Sequence, residues 1–268
     1  MSFNLALILT VLTVVSGVVI LLDKFVWKRG SHETLEAVAG GKDRRALEEV
    51  QTGGSGLDTL IEYSRSFFPV LLFVLVVRSF IFEPFRIPSG SMMPTLLQGD
   101  FIFVKKFSYG LRLPVTESKI IETGEPERGD VIVFRLPSDP NINYIKRVIG
   151  LPGDTVVYEQ HRLTINGKLI DLEKAGDFST KSPAFVEQLG DDSHRIQITA
   201  PRARIQEGTY EVPEGHYFVM GDNRDNSKDS RFIGSIPESH LVGEAVRIWM
   251  HMDGFSMPRW ERIGMKIE

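Results

Sequence analysis

Leu163-Thr164-Ile165-Asn166-Gly167-Lys168-Leu169-Ile170 decides how the larger part of this chain is read. An Asn-Gly pair between two short apolar runs is the turn that a two-residue hairpin demands, because both positions accept positive φ at little cost. Working outward, runs of strand length recur at 101–105, 131–136, 144–149, 155–159, 217–220 and 245–250, with 162–165 entering the hairpin itself. Ser138-Asp139-Pro140 and Leu151-Pro152-Gly153-Asp154 supply turn chemistry between them. Residues 83–268 contain no long apolar stripe of helical period and no internal repeat. Residues 173–195 are polar and rich in Gly, Asp and Ser, and read as an insertion or long loop. The expectation is a mostly β protein, with an all-β domain over 85–268 built around one compact core.

The N-terminal part is a different material. Residues 1–22 carry no charge, and FNLALILTVLTVVSGVVILL (3–22) reaches the length of about 20 apolar residues that crosses a bilayer. A cleavable signal peptide is the rival reading, but it wants a basic n-region, and 1–4 contain neither Lys nor Arg. A second run, SFFPVLLFVLVV (66–77), continues past Arg78 through Phe82. Alone it fits a buried helix or strand equally; behind the first span it reads as a second span over 66–84, with Arg78 snorkelling toward the headgroups. The connector 23–65 carries seven basic residues (Lys24, Lys28, Arg29, Lys42, Arg44, Arg45, Arg65) and a Gly-Gly-Ser-Gly stretch at 53–56. The positive-inside rule places that connector in the cytoplasm, and the N-terminus and the β-domain outside.

Composition removes several chemistries. The 268 residues carry a formal net charge of -4 and no cysteine. The acid excess argues against nucleic acid as a partner, and the missing thiols exclude disulfides, cysteine nucleophiles and Cys-type zinc sites. The six histidines show no metal-ligand spacing, and there is no phosphate-binding glycine loop. No metal or organic cofactor is expected.

Three stretches remain as candidates for chemistry. Pro88-Ser89-Gly90-Ser91-Met92-Met93-Pro94-Thr95 places two serines around a glycine between prolines. Such a turn either presents a hydroxyl and a backbone N–H together, as an oxyanion hole requires, or is an ordinary Ser/Gly turn. In Asn143-Tyr144-Ile145-Lys146-Arg147-Val148-Ile149, an extended chain puts Tyr144, Lys146 and Val148 on one face and Arg147 with Ile145 and Ile149 on the other. Apolar neighbours would lower the Lys146 pKa and make it a base for a serine hydroxyl; alternatively, the lysine reaches water from a strand edge. Gly221-Asp222-Asn223-Arg224-Asp225-Asn226-Ser227-Lys228-Asp229-Ser230-Arg231 reads as a loop held by its own polar groups, with Asp229 paired to Arg231 and Ser227 free to hold a neighbour. A calcium loop starting at Asp225 fails, because its sixth and twelfth positions are Ser230 and Ile236.

Taken in order, FEPFRIPSGSMMPTL (82–96), RGDVIVF (128–134), YIKRVIGLPGD (144–154) and GDNRDNSKDSR (221–231) with Gly234 resemble the bacterial type I signal peptidases. These are membrane-bound Ser-Lys proteases that remove signal peptides from exported proteins. The resemblance implies Ser91 as nucleophile, Lys146 as general base, and Ser89 completing an oxyanion hole with the Ser91 N–H. It further implies Ser227 orienting the lysine, Asp229 and Arg231 supporting it, and Phe85, Ile87, Met92, Tyr144 and Ile145 lining pockets for small residues at −1 and −3. The substrate would lie extended along the sheet, as an added strand. The implied partners are preprotein signal peptides, the lipid bilayer and the translocation machinery, at the periplasmic side of the inner membrane. Trp249 and Trp260, with Phe255 between them, fit either a membrane-surface contact or core packing.

Overall fold

The computed structural model describes residues 5–27, 56–113, 118–179, 182–190, 192–199, 206–252, 254 and 257–267. The chain divides into two compact units, one holding the N-terminal helices and one running from Ile81 onward. The connector residues 28–55 and Phe255 lie outside the described residues.

The first unit contains α1 (Leu5–Leu22) and α2 (Gly56–Val76), each prolonged by one wider π-helical turn, Asp23–Trp27 and Val77–Ile81. Leu7–Val26 and Gly56–Ile81, with mean hydropathies of 2.2 and 1.8, are long and apolar enough to cross a membrane. Only 17% and 11% of these stretches is buried by protein, whereas a soluble core helix would be mostly covered. Val14 and Phe73 are among the large apolar side chains that point outward. Where the two helices meet, Gly17 admits the Phe68 ring, which would stand 3.1 Å from a Cβ at that position. The Arg65 guanidinium pairs with the Asp23 carboxylate.

α2 begins at Gly56, ahead of the boundary at 66 expected from the apolar run. Asp58, Glu62 and Arg65 hide its first turns from a hydropathy reading, although Ile61 and Ser64, three residues apart, share a buried face. The expected span also runs too far at its other end. Phe82–Arg86 is a strand, paired antiparallel from Phe82↔Lys105 to Arg86↔Phe101. Apolar character passes from helix to strand without a break, so hydropathy alone cannot place that junction.

The second unit is mostly β, as expected, with a short α-helical turn at Ser230–Ile233. Its strands are β1 (Phe82–Arg86), β2 (Asp100–Lys105), β3 (Leu111–Arg112), β4 (Lys119–Ile121), β5 (Val131–Leu136), β6 (Asp139–Gly150), β7 (Thr155–Glu159) and β8 (Arg162–Ile165). They continue with β9 (Lys168–Leu169), β10 (Leu172–Ser179), β11 (Ser182–Leu189), β12 (Asp192–Gln197), β13 (Gly208–Glu211), β14 (His216–Met220), β15 (Ile236–Pro237) and β16 (Leu241–His251). A seven-stranded sheet runs β1-β2-β16-β5-β6-β14-β15, beside a four-stranded sheet β13-β7-β8-β9 and a three-stranded sheet β10-β11-β12. The β8–β9 turn is the Asn-Gly hairpin, with φ of 52° at Asn166 and 78° at Gly167.

The core is three clusters rather than one, because the large sheet is covered on both faces. Alternation along β5 sends Val131 and Val133 to a cluster with Ile87, Met92, Ile102 and Ile145. It sends Ile132 and Phe134 to another with Tyr109, Val148, Tyr217 and Val219. Tyr158, Leu163 and Phe218 anchor the third. The polar stretch 173–195 is folded, forming most of the three-stranded sheet. Its apolar pattern is broken because polar Glu187 and His194 are buried in it alongside Ala184 and Leu189. Gln197 N–H donates to the Asp222 carbonyl at 2.8 Å, and Arg224 N–H donates back to the Gln197 carbonyl at 2.9 Å, fastening this sheet to the 221–231 loop.

Candidate active site

β6 positions the lysine. One of its edges pairs with β5, from Val131↔Arg147 to Leu136↔Asp139; the other pairs with β14 only as far as Met220↔Arg147. The β6 edge N-terminal to Arg147 is therefore left open where β14 stops. Lys146 is the first residue past that stop, and only 4% of it is exposed. Its Nζ donates to Ser91 Oγ at 2.8 Å and to the Ile145 carbonyl at 2.8 Å, and lies 5.4 Å from the Tyr144 ring centroid. Burial lowers the Lys146 pKa from 10.5 to about 8, against the opposing pull of the Asp229 and Asp222 carboxylates. A lysine so placed is partly neutral near neutral pH, and at 2.8 Å a neutral amine can accept the serine proton.

The turn carrying Ser91 leaves β1 through Ile87, whose N–H donates to the Asp100 carbonyl at 2.8 Å. Asn223 holds it from the other side. Its side-chain amide donates to the Gly90 carbonyl at 3.0 Å, and its backbone N–H donates to the Ser91 carbonyl at 3.1 Å. Gly221 lets these segments close together, since a Cβ there would fall 2.5 Å from the Ser91 carbonyl oxygen and 2.6 Å from Ser227 Cβ. Ser89 Oγ lies 3.4 Å from Ser91 Oγ.

Behind this turn stand buried ion pairs. Arg147 clamps Asp222 with Nε at 2.8 Å and a terminal nitrogen at 2.7 Å, and donates to the Gly129 carbonyl at 2.7 Å. Thr95 also donates to Asp222, tying the far end of the serine turn to the same carboxylate. Arg231 clamps Asp229 at 2.8 Å through both nitrogens and donates to the Arg224 carbonyl at 2.6 Å. Asp229 in turn accepts from Gly221 N–H at 3.0 Å. A third pair joins the Arg224 guanidinium to Glu187, which is fully buried yet held down at about 2 by that guanidinium and by His194. At the C-terminal end, Arg262 Nε and His251 Nδ1 meet Asp100 at 2.8 and 2.7 Å, and Arg262 reaches the Thr95 carbonyl at 3.1 Å.

A cleft of about 340 Å³ opens onto the pair, lined by Ser89, Ser91, Lys146, Tyr144 and Ile145 together with Pro88, Ile142, Asn143, Asn226 and Lys228. Of the residues picked from sequence, Ser89, Ser91, Lys146, Tyr144 and Ile145 thus share one cleft. Ile87 and Met92 are 2% and 0% exposed and lie in the cluster behind Ile145, with Phe85 packed against it, rather than at the open wall. Asp229 and Arg231 form their pair. Ser227 makes no hydrogen bond to Lys146; its Oγ is buried without a partner beside Gly221. Trp249 packs between Phe101 and Phe103, with ring centroids at 5.5 and 5.6 Å, while Trp260 is 70% exposed.

Sequence reasoning missed Gly221, Asp222, Asn223 and the role of Arg147. The usable signal was Arg147 itself, a charge placed by strand alternation on the same face as Ile145 and Ile149, which requires a buried counter-ion.

A serine hydroxyl in hydrogen-bond contact with a desolvated lysine, on a β-domain preceded by apolar helices, defines the class as a hydrolase of the serine type. Comparison with known proteins makes this specific. The family described as signal peptidase, peptidase S26, matches residues 60–250, and the chain belongs to that family of serine endopeptidases. A signal peptidase I of Pseudomonas fluorescens is 44% identical over 286 residues, spanning 99% of each chain. That of Pseudomonas aeruginosa is 43% identical over the same length, again spanning 99% of each. A crystal structure of a signal peptidase I from Enterococcus faecalis V583 is 30% identical, covers 45% of this chain and 96% of its own, and has a TM-score of 0.30. The fold described above stands on its strand pairing and not on that superposition.

Proposed function

We propose that the protein is a membrane-anchored endopeptidase that removes signal peptides from exported preproteins, with Ser91 as nucleophile and Lys146 as general base. The observation that carries this reading is the 2.8 Å contact between Lys146 Nζ and Ser91 Oγ, with the lysine pKa near 8. Neutral Lys146 takes the Ser91 proton as Oγ attacks the carbonyl carbon of the −1 residue. The resulting oxyanion is met by the Ser91 N–H and the Ser89 hydroxyl. The lysine, now an ammonium, gives its proton to the leaving amine, which departs as the new N-terminus of the mature protein. It then takes a proton from the water that hydrolyses the acyl-enzyme, and protonates Ser91 as the signal peptide leaves.

The open edge of β6 receives the substrate as an added strand, with backbone hydrogen bonds fixing its register. Tyr144 and Ile145 wall the pockets for small side chains at −1 and −3, with Phe85, Ile87 and Met92 as the apolar layer behind them. Ser227 Oγ, unpartnered among the described residues, turns to the lysine amine when substrate binds, and Asp229 with Arg231 supports that loop. The exposed apolar surfaces of α1 and α2 anchor the enzyme in the inner membrane, with the connector in the cytoplasm and the β-domain in the periplasm near the translocation machinery. Trp260 and Met257, 70% and 82% exposed, suit a second contact with the bilayer surface.

The test is processing of a preprotein with an Ala-x-Ala cleavage site by the full-length protein in lipid vesicles. Ser91→Ala and Lys146→Met should each abolish cleavage while both variants insert into the membrane as the wild type does. Full activity in either variant would refute the assignment.

A further inference from the structure

The loop after β14 brings a charge to the cleft that the proposed chemistry does not use. Asn226 and Lys228 line the cleft that Ser91, Lys146 and Tyr144 share. The neighbouring carboxylates are already engaged: Asp222 by Arg147, Asp225 by His161 at 2.8 Å, and Asp229 by Arg231. Lys228 itself is exposed and makes no ion pair among the described residues. Among the described residues, no Asp or Glu lines the cleft. Apart from the Lys146 amine, the charged side chain that lines this cleft among the described residues is Lys228.

β14 stops at Met220, opposite Arg147, and the loop carrying Lys228 starts there, at the Lys146 end of the open β6 edge. In the proposed binding mode the −1 and −3 side chains occupy the opposite end, against Ile145 and Tyr144, and Ser91 marks the bond that is cut. We propose that Lys228 forms a subsite for an acidic side chain at the first positions of the mature protein, just past the scissile bond. This inference rests on the signal peptidase reading and adds to it a preference on the leaving-group side. An exposed ion pair of this kind changes rates roughly 2- to 5-fold, and salt weakens it.

The experiment uses the full-length protein in detergent and three preprotein peptides that differ only at +1 and +2, carrying Ala, Glu or Lys there. The reading is the ratio of kcat/KM for the Glu peptide to that for the Lys peptide. Wild type should favour Glu by roughly fivefold at low salt, with the preference shrinking at 1 M salt. Lys228→Arg should keep the preference, Lys228→Ala should bring the ratio toward one, and Lys228→Glu should invert it. The same ratio in wild type and Lys228→Glu, or no preference in wild type, overturns the inference. The Ala peptide separates the two readings. If wild type leaves it uncut, or Ser91→Ala cuts it as well as wild type, the peptidase assignment fails and the subsite falls with it.

Discussion

Burying Lys146 has an energetic cost that a substitution can reveal. Its pKa falls from 10.5 in the unfolded chain to about 8 in the fold. A folded pKa below the unfolded one means that, between those values, the unfolded chain binds more protons, so stability rises with pH through that window. At pH 7 the lysine is charged in both states, and the burial penalty stands at about 3 kcal/mol; at pH 10 it has shrunk to about 1 kcal/mol. Lys146→Met keeps an unbranched side chain of similar length in the site and removes the titration. It also loses the contact to Ser91, whose change with pH is already contained in the folded-state pKa of Lys146. The stability advantage of Lys146→Met over wild type should therefore narrow by about 2 kcal/mol between pH 7 and pH 10. Denaturant midpoints of the two detergent-solubilised proteins, measured in parallel, read this difference, and the titrations of tyrosines common to both cancel. A difference that stays constant across the window, or widens toward pH 10, would show that Lys146 is not desolvated as described.

Gly221→Ala should cost about 100-fold in kcat and destabilise the β-unit by about 1–3 kcal/mol, because its Cβ would fall 2.5 Å from the Ser91 carbonyl oxygen and displace the nucleophile turn. Steady-state kinetics on a preprotein, with a circular dichroism melt as control, check this; unchanged kcat would contradict the close approach. Arg224→Met should destabilise the β-unit by about 3–5 kcal/mol at neutral pH, because it leaves the Glu187 carboxylate buried without its guanidinium. Adding Glu187→Met should restore much of the loss. In wild type this pair's contribution should hold above about pH 4.5 and fade as the pH falls toward about 2.

What was readable in the sequence divides along physical lines. The Asn-Gly hairpin and the runs that became β2, β5, β6 and β14 were legible because local turn chemistry and side-chain alternation specify them without reference to the rest of the chain. Ser91 and Lys146, which lie 55 residues apart, were legible as a pair only through the order of the four motifs, not through spacing. β10 to β12 stayed hidden because Glu187, His194 and Gln197, which a hydropathy pattern scores as surface, are buried among Ala184, Leu189 and Ile196 and break the alternation. Asp222 stayed hidden because its partner Arg147 lies 75 residues away, and only the β6–β14 register brings them together. The junction at Phe82 was blurred because helix and strand are both apolar there.

These elements converge on one arrangement. β14 ends early, which opens the β6 edge to a substrate strand, and the chain that leaves β14 folds back to hold the serine turn through Gly221, Asp222 and Asn223. In this arrangement Lys146 acts as the base in its neutral form. The most direct measurement is the pH dependence of kcat/KM for wild type on a preprotein peptide. The neutral fraction of a lysine with a pKa of about 8 is roughly one-tenth at pH 7 and nine-tenths at pH 9, so the rate should rise about tenfold over that range along a single ionisation. A profile that is flat or falls between pH 7 and 9, or a Lys146→Met variant that still cleaves with the wild-type profile, would contradict it.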